Sequence, residues 1–305
     1  MADTHEALLR ELIDSASSVI IGKRGAIRLA LACLLARGHL LIEDVPGVGK
    51  TTLAHVLAKL LGLDYQRIQF TSDLLPSDIL GVSIYERETG EFRFHPGPVF
   101  AQLILADEIN RATPKAQGAL LEAMEEGQVT VEGHTWPLPA PFFVIATQNP
   151  VDQLGTHALP ESQLDRFLMR IRIGYPDPRS ERAILAGRDP RERIADLRAM
   201  LDAGQLRALH QRVPEVHVSE ALLDYVQAIV RFTRERAGRG SGLSPRAAMG
   251  LLQAARAWAL IDGRDQVLPE DVQAVLDGVV AHRLHGHDGG DVSRRILEAV
   301  AVDQP

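Results

Sequence analysis

Continuous apolar runs and segments with helical spacing alternate through the first 175 residues of the chain. Apolar runs without polar interruption are typical of strands that are buried on both faces of a sheet. Five segments are predicted as strands: 40–43, 65–70, 103–106, 142–147 and 169–173. Three segments have apolar residues at helical spacing: 6–20, 26–36 and 50–61. This alternation of strands and helices predicts an α/β fold with a parallel sheet.

Two segments between these elements have other patterns. Residues 72–98 are irregular, contain a predicted hairpin around 88–90, and are interpreted as an insertion. Residues 128–141 alternate in polarity around a Glu-Gly pair and predict a second, small hairpin. Just before the second hairpin, Thr113 as N-cap and Gly127 after the last turn bracket a further helix.

The pattern changes at residues 175–178, where Tyr-Pro-Asp-Pro breaks all regular structure. Beyond this point only helices are predicted, at 180–187, 203–212, from Ser219, from Pro245 to about 261, from Pro269 to 284, and near the end. We therefore predict two domains, residues 1–176 with the sheet and residues 177–305 with helices alone.

The stretch 39–61 combines a buried strand, a glycine loop and an amphipathic helix in immediate succession. Gly47 and Gly49 allow the backbone N–H groups to turn toward an anion, and the helix from Lys50 adds its positive dipole end. Lys50 would reach the β- and γ-phosphates, and the Thr51 hydroxyl would ligate Mg²⁺. The stretch therefore predicts a bound nucleoside triphosphate.

One position of this loop departs from the usual pattern. The sequence G-x-x-x-x-G-K-[ST] would place its first glycine where Asp44 stands. The turn of the loop therefore relies on the dipeptide Pro46-Gly47.

Two carboxylates follow the apolar run 103–106, as expected at the carboxyl end of a central parallel strand. Asp107 is predicted to hold the Mg²⁺ shell, and Glu108 to polarise the attacking water, because phosphoryl transfer depends mainly on positioning and charge neutralisation. Asn149 ends a neighbouring predicted strand and could bind the γ-phosphate or the water. The sequence therefore predicts hydrolysis as well as binding.

Composition narrows the class of protein. The chain has 305 residues, 46% apolar and 24% charged, with a net charge of −7, which does not favour a nucleic-acid-coating surface. The sequence has no apolar run of the roughly 18–20 residues that a membrane span needs, and its first residues are acidic rather than basic. We therefore expect a cytoplasmic protein. The single Cys33 is expected to be a small buried apolar residue.

Six motifs together resemble the MoxR family of AAA+ ATPases: PGVGKT, LILADEINRA, LLEAMEEGQVTVEG, FFVIATQNP, LPESQLDRFL and GLSPRAA. The resemblance implies a five-stranded parallel sheet between helices, a helical lid domain at 177–305, and ATP bound between the two. It also implies a homo-oligomeric ring, typically a hexamer, in which a neighbouring subunit completes the hydrolytic site.

Site residues are carried over on the same motifs. Asn149 is similar to the sensor-1 asparagine, Arg166 resembles the arginine finger that reaches a neighbour's γ-phosphate, and Arg246 resembles the sensor-2 arginine of the lid. On a mobile lid, Arg246 would couple closure to the presence of a γ-phosphate. Arg170 and Arg111 are alternatives for the contact with the neighbour, and the sequence does not rank them.

The same resemblance assigns the remaining positions. Residues 72–98 match the helix-2 insert, and residues 128–141 match the hairpin before sensor 1. The adenine side is assigned to Ile20, Ile21 and Gly22. The phosphate loop consists of Pro46, Gly47, Val48, Gly49, Lys50, Thr51 and Thr52.

The predicted function is that of a Mg²⁺-dependent ATPase that remodels or matures protein clients, with a von Willebrand factor A domain protein as the partner that the resemblance implies. One alternative is the ATPase subunit of a metal chelatase. A nucleic-acid motor is a less favoured alternative, because the hairpin 128–141 offers only His134 and Trp136 for such contacts. A binding module without turnover is disfavoured by Glu108. A metal site at His282, His285 and His287 is also disfavoured, since no carboxylate or thiolate set accompanies them.

Overall fold

The computed structural model describes residues 2–149, 155–187, 189–235, 242–284 and 292–302. Within these residues, five parallel strands form one sheet in the order β2-β5-β8-β1-β9. The nine strands are β1 His39–Glu43, β2 Tyr65–Gln69, β3 Gly81–Glu86, β4 Glu91–Pro96, β5 Leu103–Asp107, β6 Gln128–Val131, β7 His134–Pro137, β8 Phe143–Gln148 and β9 Phe167–Ile171. The predicted α/β fold with a five-stranded parallel sheet is confirmed.

The helices fall into two groups along the chain. Six accompany the strands: α1 Ala2–Val19, α2 Arg24–Leu35, α3 Lys50–Leu60, α4 Pro76–Leu80, α5 Pro114–Glu126 and α6 Glu161–Leu164. Seven follow the last strand: α7 Pro178–Leu185, α8 Pro190–Asp196, α9 Ala203–Arg212, α10 Glu220–Glu235, α11 Pro245–Ile261, α12 Pro269–Val280 and α13 Val292–Ala299. The described part of the chain after β9 is therefore helical, as predicted.

Strand register brings the polar strand ends to one edge of the sheet. Glu43 at the end of β1 is in register with Gln148 of β8, and Gln69 at the end of β2 is in register with Asp107 of β5. Because all five strands are parallel, the residues that follow them meet along this carboxyl edge. The amino ends form the opposite edge, about 16 Å away for five-residue strands.

Each face of the sheet is covered by a separate apolar cluster. The first cluster extends along the chain from Leu9 to Val300 and joins α1, α2 and α3 to the helices that follow β9. The second cluster lies on the other face and includes Phe70, Leu120 and Phe167. The helices of the C-terminal part thus share an apolar core with the N-terminal helices.

Capping residues set the ends of α5 as the sequence predicts. The Thr113 hydroxyl accepts a hydrogen bond from the Ala116 N–H, Pro114 occupies the first helical position, and Gly127 follows the last turn with φ +62°. This placement fixes where the β6–β7 hairpin begins, immediately after Gly127.

Several element bounds differ from the prediction. β9 begins at Phe167, two residues earlier than expected, and α12 ends at Val280 rather than at residue 284. The turn after α12 is bound to β9, because His282 Nε2 lies 2.9 Å from the Phe167 carbonyl and Arg283 Nη2 donates to the same oxygen at 2.7 Å. The short α4 and α8 were not predicted, since helices of five and seven residues carry little periodic signal.

The predicted hairpins are both present as two-stranded antiparallel sheets. β3 pairs with β4 within the predicted insertion, and β6 pairs with β7 within 128–141. None of the described helices has the length and apolar character that crossing a membrane requires. Cys33 is fully buried, as expected, and burial raises the pKa of its thiol.

Candidate nucleotide-binding site

The phosphate loop connects β1 to α3 at the carboxyl edge of the sheet. Gly47 and Gly49 have φ angles of +85° and +97°, which side chains rarely permit, and a Cβ at either would meet nothing within 4 Å. Gly49 also supplies no side-chain cap to α3, so the N–H groups of its first turn are available to an anion. A cavity of about 310 Å³ adjoins the loop and is lined by Pro46, Gly47, Gly49, Lys50, Thr51, Thr52, Asp107, Glu108 and Asn149.

Lys50 is held across this cavity by oxygen acceptors. Its Nζ donates to the Asp44 carbonyl and lies 2.9 Å from Oδ1 of Asn149. Burial lowers the pKa of Lys50, while Asp44, Asp107 and Glu108 act in the opposite direction. The lysine is therefore placed to exchange neutral oxygen partners for phosphate oxygens.

Asp107 ends β5, where both of its carboxylate oxygens are bound by side chains. The Thr147 hydroxyl donates to Oδ1, and Arg67 donates to Oδ2 from Nη2 at 2.6 Å and from Nε at 3.1 Å. Thr147 also accepts a hydrogen bond from the Glu108 N–H at 2.9 Å. Thr147 on β8 thereby fixes the two acidic residues relative to each other.

Glu108 leaves the strand in a left-handed conformation, with φ +56° and ψ +48°. Its Oε1 accepts from Asn149 Nδ2 at 3.0 Å, and its Oε2 accepts from Gln69 at 3.2 Å and from Arg111 at 3.0 Å. A non-glycine residue at positive φ is uncommon and is often found at functional sites. The backbone turn directs the carboxylate toward Asn149 and the cavity.

The donor set is suited to a magnesium ion. Asp107 and Thr51 offer a carboxylate and a hydroxyl oxygen at the same cavity as Lys50, and hard divalent cations prefer oxygen ligands of this kind. The Asp107 side chain is 10% exposed and faces the Arg67 guanidinium, so the site already balances positive and negative charge. These residues fit the predicted group.

Three residues of the site were not identified from the sequence. Arg67 and Gln69 lie two positions apart on β2, and Thr147 lies on β8, so all three reach the carboxyl edge beside Asp107 or Glu108. The only signal in the sequence was that Arg67 and Gln69 lie on the segment 65–70, which is predicted as a strand. Recognising it required the strand order, which the sequence alone did not supply.

Arg166 and Arg246 lie on the opposite edge of the sheet from the phosphate loop. Arg166 immediately precedes β9, at the amino end of the strand. Both arginines bind Glu125, in the last turn of α5, with N–O distances of 2.9 Å each. Both arginines lie near His39, the first residue of β1. The phosphate loop follows the last residue of β1, so the whole length of this strand separates the arginines from the loop.

The sequence predicts that Arg246 couples lid closure to a γ-phosphate, and in this structure Arg246 lies away from the phosphate loop of its own chain. Arg246 is in the first turn of α11, and α11 packs on α2 and β9 within the first apolar cluster. The ion pair with Glu125 keeps the guanidinium at the amino edge. In this arrangement Arg246 faces away from Lys50, together with Arg166.

The two alternative arginines have other partners. Arg170 is on β9, where it pairs with Glu43 at 3.0 Å and donates to the Ala281 carbonyl at 2.7 Å. Arg111 pairs with Glu108 at 3.0 Å and therefore lies beside its own chain's cavity. Neither is placed like Arg166, whose side chain is directed to the amino edge.

The residues assigned to the adenine side lie beside the start of the helical part. Ile20 is buried and Gly22 is exposed, with φ +75°. A Cβ at Gly22 would lie 2.2 Å from Ser180 Oγ, so the loop after α1 packs directly against α7. Ile20, Ile21 and Gly22 do not line the 310 Å³ cavity, and their contact with adenine stays a prediction.

The two hairpins contact each other through aromatic rings. Phe94 of β4 stacks on Trp136 of β7, with centroids 4.8 Å apart, and Tyr85 contacts Phe92 at the exposed end of the first hairpin. Phe92 is 70% exposed. The β3–β4 and β6–β7 hairpins thus form one joined projection.

The histidine group does not form a described metal site. His282 is buried against the Phe167 carbonyl, whereas His285 and His287 lie outside the described residues. Among the residues that the structure describes, no group of three or more His, Cys, Asp or Glu side chains is arranged to hold a metal.

The chain is similar to known ATPases. A family model described as "ATPase family associated with various cellular activities (AAA)" matches residues 39–169, and an AAA lid domain model matches residues 231–299. Chaperone MoxR1 of Mycobacterium tuberculosis is 43% identical over 97% of this chain and 82% of its own length. The chain belongs to the MoxR family of AAA+ ATPases.

Two further proteins are similar to nearly the whole chain. The protein YeaC of Bacillus subtilis is 46% identical, over 97% of this chain and 95% of YeaC. A crystal structure of a protein from Cytophaga hutchinsonii, described as a candidate ATPase, has a TM-score of 0.85 and 38% identity, covering 98% of this chain and 94% of that one. The match to MoxR1 confirms the MoxR family resemblance of the motifs, and the similarity in fold extends over nearly the whole chain.

Proposed function

We propose that this MoxR-family protein is a Mg²⁺-dependent ATPase that remodels protein clients as a homo-oligomeric ring. The observation that carries the proposal is the convergence of Lys50, Asp107, Glu108 and Asn149 on one cavity beside the phosphate loop. A module that only binds nucleotide has no need of a second carboxylate held at the γ-phosphate end. The arrangement therefore favours hydrolysis.

Each side chain has a distinct role in this proposal. Lys50 and the N–H groups of the loop bind the phosphates, while Asp107 and Thr51 would hold Mg²⁺, which neutralises phosphate charge when bound. Glu108 accepts a proton from the attacking water and orients it. Asn149 holds the Glu108 carboxylate through Nδ2 and contacts Lys50 through Oδ1, so it aligns the water with the phosphate.

The decisive experiment separates binding from turnover. Glu108→Gln keeps the size of the side chain and its contact with Asn149 but removes the base, so ATP binding should stay within about threefold while turnover falls by a factor of about 10² or more. Exposed Glu11 of α1 offers a matched control, since Glu11→Gln makes the same chemical change outside the site. Wild-type turnover in Glu108→Gln would overturn the assignment.

Arg166 and Arg246 suit a site that is shared between subunits. Both guanidiniums face the amino edge, about one strand length from their own loop, so only a neighbouring chain's nucleotide is within reach in this arrangement. An arginine supplied from outside the site stabilises the transition-state charge and is worth roughly 10³ to 10⁵ in rate. We therefore propose a closed ring of identical subunits, expected to be a hexamer.

The joined hairpins suit contact with a protein client. The β3–β4 hairpin exposes Ile84, Tyr85 and Phe92, and charged side chains of both signs lie near its tip. Exposed apolar residues of this kind mark interaction surfaces. One relative is named chaperone MoxR1, and a partner with a von Willebrand factor A domain remains the expectation from the family resemblance.

A further inference from the structure

Asp44 stands where the phosphate-loop pattern has its first glycine, and it is only 9% exposed. Oδ1 accepts a hydrogen bond from the Val45 N–H at 2.8 Å. Oδ2 accepts two more, from the N–H groups of Ile173 at 2.7 Å and Gly174 at 2.6 Å. A glycine at this position could form none of these bonds.

The backbone of Asp44 is also fully engaged. Its N–H donates to the Gln148 carbonyl at 3.2 Å, which extends the pairing of β1 with β8. Its carbonyl accepts from Lys50 Nζ. One residue therefore joins the end of β8, the phosphate-binding lysine and the segment that leaves β9.

The backbone around Gly174 is shaped to present two N–H donors to the Asp44 carboxylate. The successive N–H groups of Ile173 and Gly174 point to the same oxygen, and Gly174 has φ +68°, which side chains rarely adopt. Successive N–H groups in such a turn form a concavity that binds anions. Because Ile173 is buried, its N–H group needs a hydrogen-bond partner within the protein, and Asp44 supplies it.

The segment after Gly174 connects β9 to the helical part of the molecule. The Tyr175 carbonyl accepts from Lys23 Nζ at 2.7 Å, and Asp177 caps α7 through the N–H groups of Arg179 and Ser180. Ser180 in turn contacts Gly22, in the loop assigned to the adenine side. Residues 173–180 thus touch the phosphate loop at one end and the predicted adenine side at the other.

We propose that Asp44 is a positioning residue that couples the phosphate loop to the segment 173–180, so that a bound nucleotide changes the position of α7. The inference rests on the proposed ATPase function, because it is the phosphate that would draw Lys50 away from the Asp44 carbonyl. A carboxylate that binds both the loop and the segment transmits this displacement through short hydrogen bonds. A glycine at position 44 would remove the side-chain hydrogen bonds that join the two segments.

The test measures amide hydrogen exchange of α7, residues 178–185, with and without ATP in a Glu108→Gln background that prevents turnover. In that parent protein, ATP should slow exchange about threefold or more. Asp44→Gly restores the usual loop pattern and should keep ATP affinity within about fivefold, yet lose most of the ATP-dependent slowing. Asp44→Asn retains the side-chain size and one acceptor oxygen and should show a reduced response, which keeps the test decisive should Asp44→Gly fold poorly.

Gly174 provides an independent check of the same contact. Gly174→Ala strains the turn that presents the two N–H groups, and a Cβ there has space, with Lys23 Nζ 4.0 Å away. Because both changes disturb one contact, the double variant Asp44→Gly/Gly174→Ala should lose little more response than either single variant. Gly90→Ala, at φ +73° in the hairpin between β3 and β4, measures the cost of such strain elsewhere.

The outcomes separate the two proposals. Full ATP-dependent slowing in Asp44→Gly or Asp44→Asn overturns the role of Asp44 and leaves the ATPase proposal intact. Strictly additive losses in the double variant also contradict a shared contact. A parent protein that does not bind ATP overturns the proposed function and this inference with it.

Discussion

Nζ of Lys50 lies 2.9 Å from Oδ1 of Asn149, so this lysine is in direct contact, across the cavity, with the residue that follows β8. The amide of Asn149 can make this contact because its other atom, Nδ2, donates to Glu108. One side chain thus links the group proposed to bind phosphate with the group proposed to activate water. Its loss should therefore affect turnover more than affinity.

Asn149→Ala is expected to lower kcat about 10²-fold, since a single positioned donor in an active site is worth roughly that factor. ATP affinity should change by less than about fivefold, because Lys50 keeps its carbonyl partners. Gln148→Ala is the matched control, since the neighbouring amide binds Glu43 instead. Steady-state rates and equilibrium titration with a fluorescent ATP analogue measure both quantities. A loss of affinity as large as the loss of kcat would assign Asn149 to binding.

Arg67 is expected to compete with Mg²⁺ for Asp107. Its guanidinium donates two hydrogen bonds to Oδ2 of Asp107, and this carboxylate is the one proposed to hold Mg²⁺. Arg67→Gln removes a positive charge there and should lower the Mg²⁺ concentration needed for half-maximal nucleotide binding about threefold to tenfold.

The Arg67 experiment titrates Mg²⁺ against binding of a fluorescent ATP analogue in the Glu108→Gln background. Arg93→Gln is a suitable control, because Arg93 forms an exposed ion pair with Glu86 in the hairpin outside the site. A higher Mg²⁺ requirement in Arg67→Gln would instead indicate that Arg67 orients Asp107 for the metal.

Much of the fold followed from local pattern, whereas the site depended on pairing between distant strands. The strand, loop and helix around Lys50 and the caps of α5 are local features, and the structure confirms them. The partners of Asp107 are not local: Arg67 and Thr147 come from strands on either side of β5. The strand order is determined by packing of the whole sheet, so the sequence alone could not bring these residues together.

Arg246 illustrates the same limit. Its motif predicted a helix start on the lid, and Ser244 and Pro245 do begin α11. The motif carried no information on which edge of the sheet that helix end would face. The packing of α11 against α2 and β9 decides this, and it places Arg246 beside Arg166 on Glu125.

Mixed rings should reveal whether Arg166 acts on a neighbour. Arg166→Ala lacks the arginine but retains an intact phosphate loop, whereas Lys50→Ala lacks the lysine but retains an intact arginine. Because each variant lacks one part of the site, each alone should lose turnover about 10³-fold. In a mixture, an Arg166→Ala loop next to a Lys50→Ala subunit regains a complete site, and ATPase activity should partly return. The mixing ratio is varied and the rate measured at fixed total protein.

Arg246→Ala is expected to behave in the same way, since both arginines bind Glu125. Failure of every mixture to recover activity would contradict a shared site.

His39 should make the stability of the protein depend on pH. Its ring is partly buried at the start of β1, Nδ1 accepts from the Val144 N–H at 3.0 Å, and desolvation lowers its pKa to about 4 from 6.5. Between these two values the unfolded chain binds more protons than the folded one, so the free energy of unfolding rises with pH. Lowering the pH from 7 to 5 should therefore cost about 2 kcal/mol through this residue.

Urea unfolding at pH 7 and pH 5 measures the contribution of His39. His39→Asn retains an acceptor near the Val144 N–H but cannot be protonated, so the loss of stability between the two pH values should be smaller than in the wild type. His210 has a pKa of about 4 for the same reason of burial, with Arg37 acting in the same direction, and its contribution persists in this variant. His134→Asn, in the exposed hairpin, controls for removal of a histidine. An unchanged pH dependence in His39→Asn would show that the ring does not titrate as its burial requires.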